Sequence, residues 1–309
     1  MSRMASPPPT KRARHEPVDP GLPSPNGSPT ITKHGPLPPL SLSIVGVEPL
    51  DEFIKEVADF VHHMIMTRPD YPGSRIEVEA KIGVLRDRTT GQRLALPVLV
   101  ETILRPDMDI RFESNMSIHQ HKHYNVLLNE LKERSAQPSH SSPPLSYQHL
   151  YLVDSFYSYE GNEREKIRVT RNERTGMVVE CTRKIRLGDL NIYSPKRLVD
   201  WRVSVSLEVP VQHPIGATSH TRKKDRMSYT HEEFVVDLTQ VTMTAASNGP
   251  VQILHELEVE IARPEFLLAT AMRRGDQNVP EHENSAFDEL IRAFVNNARI
   301  LVRNAGLPQ

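Results

Sequence analysis

The chain has 309 residues, of which 38% are hydrophobic and 25% charged, and its formal net charge is −1. This length allows one substantial domain with tails, and the near-zero charge argues against a protein that coats nucleic acid through a broad basic surface. The single cysteine, Cys181, excludes an intramolecular disulfide and fits a reducing compartment. The sequence shows neither a membrane-spanning apolar run nor a signal peptide, so we expect a soluble intracellular protein.

Residues 1–40 are predicted to be a disordered, proline-rich tail. They hold 11 of the 26 prolines and almost no apolar clusters, so they cannot bury a core. The basic segment KRAR, residues 11–14, is a possible nuclear import signal. Residues 41–309 are predicted to form a single folded domain.

Four segments have the spacing of apolar residues that is typical of amphipathic helices: 47–69, 117–135, 264–274 and 285–304. In the last one, the predicted core-facing stripe consists of Phe287, Leu290, Ile291, Phe294 and Ile300. The second begins with the histidine tract HQHKH, residues 119–123, whose side chains on a helix do not face one point. A zinc site is therefore not expected there.

Residues 148–262 are predicted to form strands separated by turns. Along each strand, apolar side chains alternate with charged or hydroxylated ones, so the two kinds lie on opposite faces. Two strands, residues 76–82 and 255–264, have a polar face of almost pure glutamate: Glu77 and Glu79 in the first, Glu256, Glu258 and Glu260 in the second. Other strands present basic residues instead: Arg168, Lys184, Arg222, Lys224 and Arg226.

This pattern favours an α+β fold in which a closed antiparallel barrel has a polar lumen and helices pack on its outer face. The alternative is an open sheet whose polar face lies in water. Glutamate is depleted in strands, and facing carboxylates repel, so two glutamate strands favour a shared cation. Carboxylate ligands indicate a hard divalent ion, Mg²⁺ or Mn²⁺.

A metal-binding glutamate cluster beside arginine and lysine side chains suits phosphoryl transfer. The sequence lacks the phosphate-binding loop and the kinase motifs. A cysteine nucleophile is not expected, because Leu187 stands six positions after Cys181, where a cysteine phosphatase would need its arginine.

At these residues the sequence resembles the fungal mRNA-capping RNA 5′-triphosphatases, the β subunits of the capping enzyme and members of the triphosphate tunnel metalloenzymes. The resemblance is carried by IEVEAKIG and ELEVEI, in that order, and by the strands between them. It implies a closed eight-stranded tunnel that removes the γ-phosphate from triphosphate-ended nascent mRNA, which is the first step of capping.

The resemblance also implies roles for individual residues. Metal ligation falls on Glu77, Glu79 and Glu260. Catalytic roles fall on Glu208, Glu258, Arg168, Lys184, Lys224 and Arg226. Phosphate-binding or supporting roles fall on Arg222, Asp154, Asp200, Ser204, Asp237, Thr239 and Glu256.

The partners that the resemblance implies are the mRNA guanylyltransferase of the capping complex or the phosphorylated tail of RNA polymerase II. It also implies that the chain forms a homodimer and acts in the nucleus. The Trp-rich docking segment of some members is missing, since Trp201 is the only tryptophan and lies in a strand. Two other functions stay open: a tunnel hydrolase of inorganic polyphosphate or thiamine triphosphate, and a non-catalytic tunnel that binds polyphosphate or a phosphopeptide.

Overall fold

The computed structural model describes residues 40–49, 51–159, 162–245 and 250–306. The predicted tail and its KRAR segment therefore lie outside the described residues, apart from Leu40. The helices and strands given below all belong to the unit that spans residues 50–309.

In chain order the elements are α1 (Glu52–Met66), β1 (Arg75–Asp87), β2 (Thr102–Ile103), β3 (Ile110–Glu113), α2 (Ile118–Ser135), β4 (Ser146–Tyr159), β5 (Asn162–Asn172), β6 (Val178–Tyr193), β7 (Asp200–Pro210), β8 (His220–His231), β9 (Phe234–Ala245), β10 (Gln252–Ile261), α3 (Pro264–Arg273), α4 (Glu281–Asn284) and α5 (Ala286–Arg303). No helix among the described residues is long and apolar enough to cross a membrane.

Eight antiparallel strands close into a barrel. Their order is β10–β9–β8–β4–β5–β6–β7–β1, and β10 pairs with β1 to complete the circle. The short strands β2 and β3 add to β6 and β1 from outside this circle. The predicted eight-stranded antiparallel barrel is therefore confirmed.

The apolar core lies between the outer face of the barrel and the helices. Val57 of α1, Phe294 of α5 and the barrel residues Val203 and Leu257 are all buried in this one cluster. The outward face of each strand is consequently dry where helices cover it, and the charged face is left for the lumen.

The helix ends follow from their capping residues. Asp51 accepts hydrogen bonds from the backbone N–H groups of Phe53 and Ile54, so α1 begins at Glu52 rather than at residue 47 as predicted. Ser117 and Gln120 form a capping box at the start of α2.

The predicted core stripe of the last helix is correct except at its end. Phe287 and Phe294 are fully buried, but Ile300 is 49% exposed, and Leu301 and Val302 are buried instead. Ile300 follows Phe294 by six positions, which places it on another side of a helix with 3.6 residues per turn.

Candidate active site

The barrel encloses a cavity of about 710 Å³ whose wall carries both acidic and basic side chains. The predicted site residues that line it are Glu77, Glu79, Asp154, Arg168, Lys184, Glu208, Arg222, Lys224, Arg226, Glu256, Glu258 and Glu260. The other four, Asp200, Ser204, Asp237 and Thr239, are almost completely buried and lie outside the lining.

Pairing of β1 with β10 brings the two glutamate strands together. Glu79 lies opposite Glu260, and Lys81 lies opposite Glu258. Burial, followed by the negative charges of its glutamate neighbours, raises the pKa of Glu260 well above its usual range. Burial and then the charge of Glu79 also raise the pKa of Glu77. One wall of the cavity therefore carries a dense cluster of carboxyl groups that repel one another when ionised.

Two lysine ammonium groups partly neutralise this acidic wall. Lys184 of β6 contacts the carboxylate of Glu77, and its Nζ lies 3.4 Å from Glu79 Oε1. Lys81 Nζ lies 3.3 Å from Glu79 Oε2 and 3.0 Å from Glu258 Oε2. Each lysine thus joins two glutamates, and Glu79 is shared between the two lysines.

Glu260 differs from the other glutamates because its side chain forms no hydrogen bond or ion pair with any residue that the structure describes. The described ranges contain no three acidic, histidine or cysteine side chains that already converge as a metal site. The donor chemistry nonetheless fits Mg²⁺ or Mn²⁺, which prefer carboxylate oxygens. A cation beside Glu260 would supply the direct contact that no described cationic side chain makes, although Arg226 is near enough for the charge of Glu260 to raise its pKa.

Arg168 and Glu208 form a close ion pair in the cavity wall. Arg168 Nη2 lies 2.6 Å from Glu208 Oε1 and 3.0 Å from Glu180 Oε2. Arg75 contacts Glu180 and lies 3.2 Å from the second oxygen of Glu208. Burial lowers the pKa of Arg168, but the charge of Glu208 and other carboxylates outweighs it, so the pKa is raised. Arg168 stays cationic.

The guanidinium of Arg226 contacts three groups, which fix its orientation. Nη1 lies 2.5 Å from Asp237 Oδ2, Nη2 donates to Glu258 Oε1 at 3.0 Å, and Nε donates to the hydroxyl of Thr239 at 3.1 Å. Asp237 and Thr239 thus act from behind the wall by orienting Arg226.

Lys224 and Arg222 of β8 are each paired with one carboxylate, which lies on the adjacent strand β4 for Lys224 and on β10, beyond β9, for Arg222. Lys224 Nζ lies 2.5 Å from Asp154 Oδ2, while Thr170 donates its hydroxyl to the other oxygen of that carboxylate at 2.8 Å. Arg222 Nη2 donates to both oxygens of Glu256 at 2.9 Å. The basic side chains of the cavity are therefore oriented by carboxylates and held ready for an anion.

Ser204 and Asp189 together contact another basic residue, Arg186. Its hydroxyl donates to Asp189 Oδ1 at 2.7 Å, and Arg186 donates to the same oxygen at 2.7 Å. A bulge between Arg186 and Gly188 places Arg186 and Asp189 on one face, although three positions separate them. Arg186 Nη1 also donates to the Ser204 hydroxyl oxygen at 3.2 Å. Arg186 lines the cavity, so Ser204 supports it both directly and through Asp189.

Asp200 has a different surrounding from the one expected for a phosphate-binding residue. Its carboxylate accepts hydrogen bonds from the backbone N–H groups of Leu85 and Ser194 and from the guanidinium of Arg93. These contacts join the start of β7 to β1 and to the loop before β2. Asp200 thus serves to hold one end of the barrel together.

Sequence reasoning missed five charged residues that line the cavity: Arg75, Lys81, Lys166, Glu180 and Arg186. Each shares strand parity with a predicted site residue, as Lys81 does with Glu79 and Glu180 with Lys184. Parity was therefore the signal that could have found them.

The histidine tract 119–123 does not converge. His121 is buried and its ring lies 4.7 Å from the ring of His255 on β10, whereas His119 and His123 are exposed.

A family model described as the mRNA capping enzyme, beta chain, matches residues 47–307. The mRNA-capping enzyme subunit beta of Schizosaccharomyces pombe is 35% identical over 279 residues, which are 88% of this chain and 88% of that protein. The polynucleotide 5′-triphosphatase CTL1 of Saccharomyces cerevisiae is 28% identical over 75% of this chain and 71% of that protein. The solved S. pombe Pct1 RNA triphosphatase in complex with the Spt5 CTD has a TM-score of 0.77 at 34% identity, covering 86% of this chain and 99% of the other.

Proposed function

Because the chain belongs to the mRNA capping enzyme beta-chain family, we propose that it is an RNA 5′-triphosphatase that removes the γ-phosphate from triphosphate-ended nascent mRNA. The product is a diphosphate end, and the reaction is the first step of capping. One observation carries this function: a single cavity presents an acidic wall for a cation and a basic wall for phosphate oxygens.

The basic side chains of the cavity wall bind the triphosphate. Arg168, Lys184, Lys224 and Arg226 bind its oxygens, and the two arginines offer planar forks that fit phosphate. Arg222 supports them. Their present carboxylate partners keep these side chains in place before substrate arrives, so little reorganisation is needed when charge develops in the transition state.

Glu258 and Glu208 are proposed to orient the attacking water. Burial raises the pKa of Glu258, but Lys81 and Arg226 outweigh it, so the pKa is lowered and the group stays a carboxylate at neutral pH. A carboxylate accepts hydrogen bonds from water and aims it at the γ-phosphorus. The water oxygen forms a bond to the γ-phosphorus as the bond between that phosphorus and the bridging oxygen breaks. The carboxylate takes up the proton that the water loses, inorganic phosphate leaves, and the bridging oxygen stays on the diphosphate end.

Glu77, Glu79 and Glu260 are the proposed ligands of Mg²⁺ or Mn²⁺. When bound, such an ion supplies Lewis-acid stabilisation of the phosphate charge. The support for these ligands is the donor type of the three side chains and the absence, among the described residues, of a side-chain hydrogen bond or ion pair to Glu260. On this proposal the contacts of Lys184 with Glu77 and Glu79 give way to the ion.

The proposed setting is a nuclear capping complex. A relative solved in complex with the Spt5 CTD supports recruitment of this chain through a CTD. The phosphorylated RNA polymerase II tail and the mRNA guanylyltransferase are the partners that we propose. We also propose that the chain works as a homodimer.

The function is tested with γ-labelled triphosphate-ended RNA, with and without Mn²⁺. Labelled phosphate should appear only with the metal, and the RNA should retain a diphosphate end. Release from inorganic polyphosphate or thiamine triphosphate, but not from RNA, would assign the chain to another tunnel hydrolase. Binding of these anions without any release would indicate a non-catalytic tunnel.

A further inference from the structure

A second cavity, about 1050 Å³ in volume, lies outside the barrel between the start of α2, the β6–β7 turn and the end of α5. We call it the basic groove. Its charged or titratable lining residues are all basic: His119, Lys122, His123, Lys196, Arg197 and Arg303. All six are exposed. The chain as a whole has a net charge of −1, so this is a local concentration of positive charge.

The cations of the basic groove differ from those of the barrel cavity in having no counter-charge. Within the described part of the chain, Lys122, Lys196, Arg197 and Arg303 form no ion pair. In the barrel, by contrast, Arg168, Arg222 and Arg226 each contact a carboxylate. Uncompensated cations that share a concave surface attract an anion from solution.

The groove is built from segments that are tied to one another. The Gln120 side chain donates to the carbonyl of Ala305 at 3.4 Å, which links α2 to the residues after α5. Arg93 donates to the carbonyl oxygens of Arg197 at 2.6 Å and Ser194 at 3.1 Å, which fixes the β6–β7 turn. The basic side chains thus project from a preformed surface.

Lys196, Arg197 and Arg303 also line a neighbouring cavity of about 420 Å³. The uncompensated charge ends with them, because Arg299 in that second cavity lies 2.7 Å from the carboxylate of Glu101. The basic side chains of the groove itself are spread over a cavity of about 1050 Å³, so they form a track of cations and not a single anion-sized spot. Such a track matches a polymer that carries one charge per unit better than it matches a peptide with one phosphate.

We propose that the basic groove binds the phosphodiester backbone of the RNA downstream of the 5′ end that occupies the barrel. This inference rests on the proposed function. The lining of the groove carries no aromatic side chain other than histidine, so it offers phosphate contacts and little base stacking. Recognition of that kind is independent of sequence, as transcripts of every sequence require.

The barrel and the basic groove are close enough for one RNA to reach both. Asp200, which Arg93 ties to the β6–β7 turn, and Glu208, which lines the cavity, lie on the same strand. Eight residue steps separate them, roughly 26 Å at about 3.3 Å per residue. A long RNA can therefore reach the groove, whereas a triphosphate-ended dinucleotide remains in the barrel.

The test compares the double variant Lys196→Glu/Arg303→Glu with wild type. Affinity for a long 5′-hydroxyl single-stranded RNA, measured by fluorescence anisotropy in EDTA, should fall at least tenfold. The dependence of log affinity on log salt should become shallower by about 0.7 for each lost phosphate contact. KM for long triphosphate RNA should rise, while kcat and the KM for the dinucleotide should stay unchanged.

Arg292→Glu is the matched control, because Arg292 is an exposed arginine of α5 that forms no ion pair within the described residues and lies outside the groove. It should leave RNA affinity unchanged. Equal RNA binding by the double variant and wild type would overturn the groove while leaving the triphosphatase activity standing. The proposal would also be overturned if the double variant lost binding to a phosphorylated peptide but bound RNA as well as wild type does. If wild type released no phosphate from RNA, the proposed function would fail, and the anisotropy measurement would still decide the groove.

Discussion

Glu79 on the first barrel strand and Glu260 on the last lie directly opposite each other in the antiparallel pair that closes the barrel. Directly opposed side chains have Cβ atoms about 5 Å apart. Glu79 forms ion pairs with Lys81 and Lys184, whereas Glu260 forms no direct ion pair among the described residues and is offset only at longer range by Arg226. The closure of the barrel therefore creates an imbalance of charge that a metal ion would correct.

The first prediction concerns Glu260. Replacing Glu260 by glutamine should raise the melting temperature of the metal-free protein at neutral pH, because a buried carboxyl with repelling neighbours is removed. Turnover should be lost with a proposed metal ligand. Wild type should gain about 2.7 kcal/mol of stability at a hundredfold excess of Mn²⁺ over Kd, and the variant should gain much less.

Glu256→Gln is the control for this prediction, since Glu256 lies on the same face of β10 but is paired with Arg222. It should lower the metal-free melting temperature and keep the Mn²⁺-induced shift. Scanning fluorimetry of the three proteins with and without Mn²⁺ measures both effects. Equal metal-induced shifts in wild type and Glu260→Gln would remove Glu260 from the metal site.

The second prediction concerns Arg226, whose guanidinium contacts Asp237, Glu258 and Thr239 at once. Arg226→Lys keeps the charge but loses the planar fork. We expect kcat to fall by about a hundredfold or more, the usual scale for a lost transition-state donor, with a small change in melting temperature. Arg263→Lys, at an exposed arginine paired with Glu233, should change neither quantity. Normal turnover in Arg226→Lys would contradict a role on phosphate.

The barrel and most of its lining could be predicted because the alternation of apolar and polar residues along each strand can be read directly from the sequence. Alternation fixes which side chains share a face, and the helix-covered face must be the apolar one. Glu77, Lys184, Arg226 and Glu258 therefore point inward together, whichever strands turn out to be neighbours.

Register and end contacts could not be predicted in the same way, because they depend on which strands meet. Nothing in the local sequence shows that Lys81 lies opposite Glu258, or that Arg93 from a loop contacts Asp200. The bulge that puts Arg186 and Asp189 on one face also breaks simple alternation. Parity thus identifies the lumen, while pairing decides what each luminal side chain does.

The third prediction follows from Lys81, which the sequence did not single out. The charges of Lys81 and Arg226 keep the pKa of Glu258 low. Lys81→Met removes one of them, so the pKa of Glu258 should rise. The carboxylate would then be lost at a higher pH, and the acid limb of the kcat/KM profile should move upward in pH. Lys81→Arg should restore the wild-type limb. An unmoved acid limb in Lys81→Met would show that Glu258 does not govern it.

The fourth prediction concerns the buried pair of His121 and His255, which lies outside the cavity. Burial, followed by the charge of His255, lowers the pKa of His121 from 6.5 to about 4, although Asp225 acts in the opposite direction. The unfolded chain takes up this proton near pH 6.5 and the folded chain only near pH 4, so stability is complete above pH 6.5 and declines as the pH falls through that window. His121→Phe should flatten the decline measured by urea unfolding at a series of pH values, while His119→Phe, at an exposed histidine of the same helix, should retain it. A decline as steep in His121→Phe as in wild type would show that other groups cause the acid sensitivity.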